Sequence, residues 1–226
     1  MKYFIIFFLV TQFVFGQSKM KPEETEVWEP EPKVVQPGVF LSPPSDAIIL
    51  FDGTDFSKWR SERTKGDVEW TLNPDKSMTV KPGKGGIETI DEHGSVQLHI
   101  EWKSPTVIKG EGQGRGNSGI FFQRRYEIQV LDSYQNRTYS NGQAGSIYKQ
   151  YIPLVNAMRP TGEWQVYDIV FNVPEFNDNG DEIKPGSFIV FHNGILIQNS
   201  VEIQGTTEYI GRPKKGRNVM PGFLGG

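Results

Sequence analysis

Two glutamates, a histidine and a group of amides stand at alternating positions in this chain. They are residue types that grip hydroxyl groups and move protons. In YEIQVLD (126–132), Glu127 and Gln129 point to one face of a strand and Tyr126, Ile128 and Val130 to the other, because successive strand side chains alternate. In SGIFFQ (118–123) the same rule sets Gly119, Phe121 and Gln123 opposite Ser118, Ile120 and Phe122. Asn117 opens that segment at the end of the Gly-rich loop GEGQGRGNSG, where missing Cβ atoms let a ligand approach the backbone. Upstream, in SVQLHIEWKS, His99 and Glu101 share a polar face against Val96, Leu98, Ile100 and Trp102. Glu101 and Glu127 are therefore the candidate acid and base, or the carboxylate pair of ordinary glycoside hydrolysis. His99 suits proton transfer near neutral pH, and Arg115 and Lys149 are cations that could stabilise developing negative charge. Asp132 and Asn156 add polar groups. Trp164, with Tyr134 and Tyr139, offers the flat apolar faces on which sugars stack. Each has a plainer reading: a solvated face for His99 and Lys149, a turn for Asn156, and packed core for Trp102 and Tyr126.

Metal chemistry has weaker support. Three histidines (93, 99 and 192) and no cysteine give no zinc-ligand spacing. A divalent cation could take oxygen ligands from Glu101, Glu127, Asp132 and Asn117, although no loop motif encodes such a site. The Gly-rich loop is not a phosphate loop, since no Gly-Lys-Ser/Thr follows it.

The elements that must position these residues read as strands. Ala47–Phe51, Trp70–Leu72, Ser77–Val80, Gly86–Thr89, Ser95–Ser104 and Trp164–Val173 are strand-like, with Asp-Gly, Asn-Pro-Asp and Pro-Gly punctuation. Phe188–His192 and Ile195–Ile203 form a hairpin across Asn193-Gly194, the strongest two-residue hairpin signal. The SIYKQY segment alternates too, setting Tyr148 and Gln150 opposite Lys149. No stretch shows helical periodicity of useful length. The expected fold is all-β, a jelly roll or β-sandwich of two antiparallel sheets.

The chain has 226 residues, 36% hydrophobic and 23% charged, which suits one domain plus extensions. Lys2 followed by the apolar run Tyr3–Phe15 and the small residues Gly16 and Ser18 reads as a cleaved signal peptide over 1–16. The run is too short for a span of about 20 residues, so no membrane span is expected after cleavage. Absence of cysteine excludes a lipid-modified cysteine, and the expected location is the periplasm or outside the cell. Residues 17–45 form a Pro/Glu-rich tether, residues 46–213 the folded domain and residues 214–226 an atypical tail. Lys2 is the sole charge within 1–16, so cleavage takes the net charge from −3 to −4, a mild acidity that argues against nucleic-acid binding.

Six ordered segments, LFDGTDFSKW, SVQLHIEW, GNSGIFFQRRYEIQVLDSY, GSIYKQYIPLVNA, GEWQVYDIVF and FHNGILIQN, together resemble the 3-keto-disaccharide hydrolase family. The resemblance covers roughly 46–213. It implies a concanavalin-A-like jelly roll acting on glycosides whose sugar carries a ketone at C3, as hydrolase or as lyase/hydratase. Such a ketone acidifies the C2 hydrogen; a base removes it, the enolate expels the C1 substituent, and water adds afterwards. The expected site is one concave polar face carrying Glu101, Asn117, Glu127, Gln129 and Lys149, with Arg115 from the loop. A noncatalytic carbohydrate-binding module and a conventional two-carboxylate glycosidase fit the same residues. Family members continue past the Tyr209–Pro213 motif through a Leu-Gln-Asp-His-Gly segment to a strand with Arg-Asn-Ile-Trp. Here KKGRNVMPGFLGG stands instead, and the resemblance implies loss of that strand.

Overall fold

The computed structural model describes residues 20–39 and 42–215, and the backbone of 224–225. The chain divides into two compact units, Met1–Ile48 and Ile49–Gly226. The expected signal peptide lies outside the described residues. In the first unit the described chain is extended, with one 3-10 turn at Pro22–Thr25.

The second unit is built from short strands: β1 (Trp59–Ser61), β2 (Thr71–Leu72), β3 (Met78–Thr79), β4 (Ile87–Thr89), β5 (Val96–Lys103), β6 (Asn117–Phe122), β7 (Tyr126–Leu131), β8 (Trp164–Asn172), β9 (Glu175–Phe176), β10 (Glu182–Lys184), β11 (Ser187–His192), β12 (Ile195–Glu202) and β13 (Leu224–Gly225). Among the described residues there is no α-helix. One sheet runs β1-β4-β13-β6-β7 and the other β12-β11-β8-β5, with two small ribbons, β2-β3 and β9-β10. Every ladder is antiparallel. The all-β sandwich is therefore what the alternation and turn punctuation require.

The core lies between the two sheets. Ile120, Phe122, Tyr126 and Ile128 from β6 and β7 meet Trp102, Tyr167, Ile169, Phe171, Phe188 and Val190 from the four-stranded sheet. Phe122 meets Phe171 in a tilted contact and Phe188 edge-on, at centroid distances of 4.9 and 5.1 Å. Because β6 and β7 bury their apolar alternates here, Asn117, Gly119, Phe121, Glu127 and Gln129 must face the other side of the five-stranded sheet. Trp102 and Tyr126 take their expected core places.

Four readings need correction. Ala47–Phe51 is not a strand; instead Phe51 stacks on Phe56 at 5.9 Å, and the Trp59 indole donates to the Leu50 carbonyl at 2.7 Å. Gln123 is not part of β6, because Gln123 and Arg124 take positive φ (52° and 56°) and make the β6–β7 turn. Alternation also fails at 147–151, where Lys149 has φ of 60° and the chain turns. The stretch read as a tail with its strand lost carries a strand instead: Leu224–Gly225 pairs with Phe121–Phe122 of β6 and with Glu88 of β4, inside the five-stranded sheet. The Asn193-Gly194 hairpin is as expected, with both residues at positive φ.

Candidate active site

Asn117, Phe121, Glu127, Gln129, Tyr148, Thr207 and Tyr209 line a cleft of about 380 Å³ on the outer face of β6 and β7, a volume within the range of small-ligand sites. Glu127 sits on its floor, 8% exposed. Its place depends on Gly119, its diagonal neighbour on β6: a Cβ on Gly119 would collide with the Glu127 carboxyl. Burial pushes the Glu127 carboxyl up to about 7, because removal from water disfavours the charged form and no described cation pairs with it.

Gln129, almost fully buried, lies beside that carboxyl. With its amide nitrogen turned one way it donates to Gln113 Oε1 at 3.0 Å; turned the other way, the nitrogen lies 3.1 Å from Glu127 Oε1 and 3.1 Å from the Ser118 carbonyl. The second orientation supplies the donor that an ionised Glu127 needs and keeps the Gln129 oxygen off the Ser118 carbonyl. Gln113, on the Gly-rich loop, also holds Asn117, whose amide donates to the Gln113 carbonyl at 2.9 Å. The loop is tied down in turn by Asn136, which accepts from the Gly112 N–H at 2.8 Å and donates to the Gly112 carbonyl at 3.0 Å. The loop thus fixes polar side chains on the cleft floor.

The rim is aromatic. The Tyr148 and Tyr139 hydroxyls are 2.6 Å apart, and the Lys149 ammonium lies 5.1, 5.9 and 5.2 Å from the ring centres of Tyr139, Tyr148 and Tyr209. Lys149 Nζ donates to the Tyr209 carbonyl at 3.0 Å. Burial, then the hydrogen bond to Tyr139, raises the Tyr148 phenol above its ordinary value. The positive φ at Lys149 is what brings it and Tyr148 to one rim, contrary to the expected opposition.

The expected single face does not gather every candidate. Glu101 and His99 lie on β5, in the four-stranded sheet, on its solvent face. They share neither sheet nor face with Glu127, and His99 pairs with Asp168 at 2.7 Å. Trp164, at the start of β8 in the same sheet, has Lys103 4.9 Å from its ring centre. Arg115 and Asp132 form an ion pair at 2.7 Å, with Thr161 3.0 Å from both Asp132 oxygens and 2.8 Å from the guanidinium. They line a different cavity of about 280 Å³. The pair ties the Gly-rich loop to β7. Gly116 (φ 52°) permits the approach, since a Cβ there would lie 3.1 Å from Asp132 Cβ. Asn156 donates to the Ser133 carbonyl at 2.9 Å and serves the loop fold. The oxygen set Glu101, Glu127, Asp132 and Asn117 is therefore dispersed. Among the described residues no group of three or more His, Asp or Glu could hold a metal ion. His192 is core: burial pulls it down to about 4, and Nε2 lies 3.2 Å from Gln165 Oε1.

Sequence reasoning missed Glu88. Cross-strand partners Arg60–Glu88, Glu88–Gly225, Gly225–Phe121 and Phe121–Glu127 form one row across the sheet, and directly paired residues share a face. Glu88 therefore lies on the same face as Glu127, three strands away, about 14 Å at the usual strand spacing. Arg60 (2.7 Å), Lys65 (3.0 Å) and Arg124 surround it. Its full burial would raise its carboxyl, but Arg124, Arg60 and Lys65 outweigh that and hold it at about 2. The visible signal was a glutamate inside the otherwise apolar strand Gly-Ile-Glu-Thr-Ile. Phe121, Thr207 and Tyr209 were also missed; only tertiary folding brings 207–209 to β7, through the Thr207 hydroxyl accepting from the Glu127 N–H at 3.0 Å.

A family model described as a 3-keto-alpha-glucoside-1,2-lyase-like domain matches residues 46–225. A solved structure named "putative glycosyl hydrolase", from Parabacteroides distasonis ATCC 8503, is 47% identical with a TM-score of 0.87, covering 93% of this chain and 90% of that one. A second structure with that name from the same organism is 21% identical with a TM-score of 0.51, over 70% of this chain and 72% of that one, a likeness of fold alone. No curated protein matches.

Proposed function

Because the chain belongs to the 3-keto-alpha-glucoside-1,2-lyase-like family, we propose that it is an exported carbohydrate-active enzyme that cleaves glycosides carrying a ketone at C3. Glu127 is its base. The carrying observation is a buried carboxyl that titrates near 7 on the floor of the cleft, where a base works best close to the operating pH. Ionised, Glu127 takes the C2 proton. The electrons pass to the C3 oxygen as an enolate, which then expels the C1 substituent. Water adds at C1 while C2 recovers a proton from Glu127, so the net reaction is hydrolysis. Asn117 and Gln129 bind sugar hydroxyls, and Phe121 and Tyr209 offer apolar faces to the ring.

Among the described residues lining the cleft, Glu127 is the one carboxylate. Conventional glycosidases need two, about 5–9.5 Å apart, and Glu88 is both too distant and held by its cations. This favours elimination over two-carboxylate hydrolysis. Export rests on the basic start and apolar run of residues 1–16 and places the work in the periplasm or outside the cell.

The test gives the purified chain an aryl glucoside and its 3-keto form, each with added divalent metal and with chelator. Cleavage of the keto form alone is expected, with Glu127→Gln slowing it by roughly 10²–10⁴-fold. Equal cleavage of the plain glycoside would overturn the elimination route. Binding without turnover of either form would assign a carbohydrate-binding module.

A further inference from the structure

We infer that the Tyr148 hydroxyl is the acid that protonates the departing glycosidic oxygen, resupplied through Tyr139 from solvent. This rests on the 3-keto-glycoside reading above and names a partner for its base. Expulsion of an alkoxide at C1 needs a proton donor on the leaving-group side, and no carboxylic acid besides Glu127 lines the cleft among the described residues.

Tyr148 is buried and lines the cleft with Glu127. Its hydroxyl is 2.6 Å from that of Tyr139, a phenol that is 39% exposed. The two hydroxyls thus form a two-member path from the cleft toward water. The seat of Tyr139 is shaped for it: a Cβ on Gly142 would collide with the ring. Lys149 lies over both rings, a cation–π arrangement that holds the two phenols side by side at the rim. It reaches that place only through a left-handed backbone, φ 60°, a conformation that persists where surrounding structure enforces it. Raised by burial, Tyr148 stays protonated across the working pH range, as an acid that serves an alkoxide must.

The protons balance. As the C1–O bond breaks, the leaving oxygen takes the Tyr148 proton, Tyr148 takes one from Tyr139, and Tyr139 takes one from water. Glu127 holds the C2 proton, so elimination yields an alcohol and an unsaturated 3-keto sugar, and the hydroxide left in solvent is neutralised when Glu127 releases its proton or water adds.

The test compares two leaving groups on the same 3-keto sugar. Nitrophenolate departs without a proton, whereas an alkyl or sugar alkoxide requires one. Tyr148→Phe is expected to lose about 100- to 1,000-fold in kcat/KM on the 3-keto disaccharide while staying within about fivefold of wild type on the 3-keto nitrophenyl glucoside. Tyr139→Phe and Lys149→Met are expected to show the same pattern with smaller losses, and Lys149→Arg to recover part of the loss. Activity on the nitrophenyl substrate doubles as proof of folding. Equal losses on both substrates, or none on either, would overturn the acid role. Loss of both substrates in Glu127→Gln alongside selective loss in Tyr148→Phe supports acid and base together. Full activity of Glu127→Gln would overturn the base alone. A wild-type chain inactive on both keto substrates would overturn the 3-keto reading and the acid with it.

Discussion

At Glu127, stability and chemistry pull in opposite directions. Burial raises its carboxyl from about 4.5 to about 7, so the folded protein holds a proton that the unfolded chain has already released. Between those values the folded state binds more protons, and stability falls as pH rises. Above pH 7 the cost of keeping the ionised carboxylate buried is about 3 kcal/mol, at about 1.4 kcal/mol per pH unit. Glu127→Gln removes that cost while keeping the shape. The variant should match wild type in melting temperature near pH 4.5 and exceed it increasingly up to about pH 7.5, as thermal melts across that series would show. A variant with no gain at pH 8 would mean the carboxyl is not neutral at lower pH. Activity should follow the inverse course, rising through about pH 7 as the base ionises.

At the scale of elements, the five-stranded sheet is tied across its site face by ions and by one tight turn. Glu88 on β4 meets Arg60 from β1, Lys65 beyond it, and Arg124 from the β6–β7 turn. Gln123 and Arg124 hold left-handed backbones in that turn, a conformation non-glycine residues adopt at a cost. The Arg124–Glu88 contact is its compensation. The Glu88 carboxyl is lowered to about 2, so its contribution is complete above about pH 4.5 and disappears as pH falls toward 2. Glu88→Gln should lower stability at pH 7 by about 1.5–3 kcal/mol, the range for hydrogen bonds to charged groups. The gap between variant and wild type should close in denaturant titrations at pH 2–3. A gap that persists unchanged there would show that packing, rather than charge, accounts for the loss.

At the scale of the molecule, the sandwich core carries the site on its back. Tyr167, fully buried on β8, crosses the core and donates its hydroxyl to the Gln129 carbonyl on β7 at 2.9 Å; the Gly145 N–H donates to the same oxygen at 2.8 Å. The four-stranded sheet thus braces the strand that bears Glu127 and Gln129. Tyr167→Phe leaves that carbonyl with its second donor, so the expected cost is about 1 kcal/mol, or a melting shift of roughly 2–4 °C for a domain of this size. A fall of more than 10 °C would mean that the hydroxyl anchors more than one bond.

Period-two alternation and turn residues by themselves determined the all-β class, the 193–194 hairpin, the core side of β6 and β7, and the polar side on which Asn117, Glu127 and Gln129 lie. These are local properties, since a strand's two faces follow from its own sequence. Which strands share a sheet is not local. Glu101 and Glu127 look equivalent by alternation, yet β5 pairs with β8 and β7 with β6, so their carboxylates belong to different faces of the molecule. Charge pairing was equally hidden: Arg115 reads as a free loop cation until Asp132 and Thr161 enclose it, and Glu88 as an odd residue in an apolar strand until three cations converge on it. The tyrosine and lysine rim was hidden by one backbone angle, because a left-handed Lys149 breaks the alternation that its neighbours suggest. Chemistry-bearing residue types were legible because side chains are written in the sequence. Their grouping into one cleft was decided by strand pairing over long separations, and burial then raised the Glu127 carboxyl while three converging cations lowered that of Glu88.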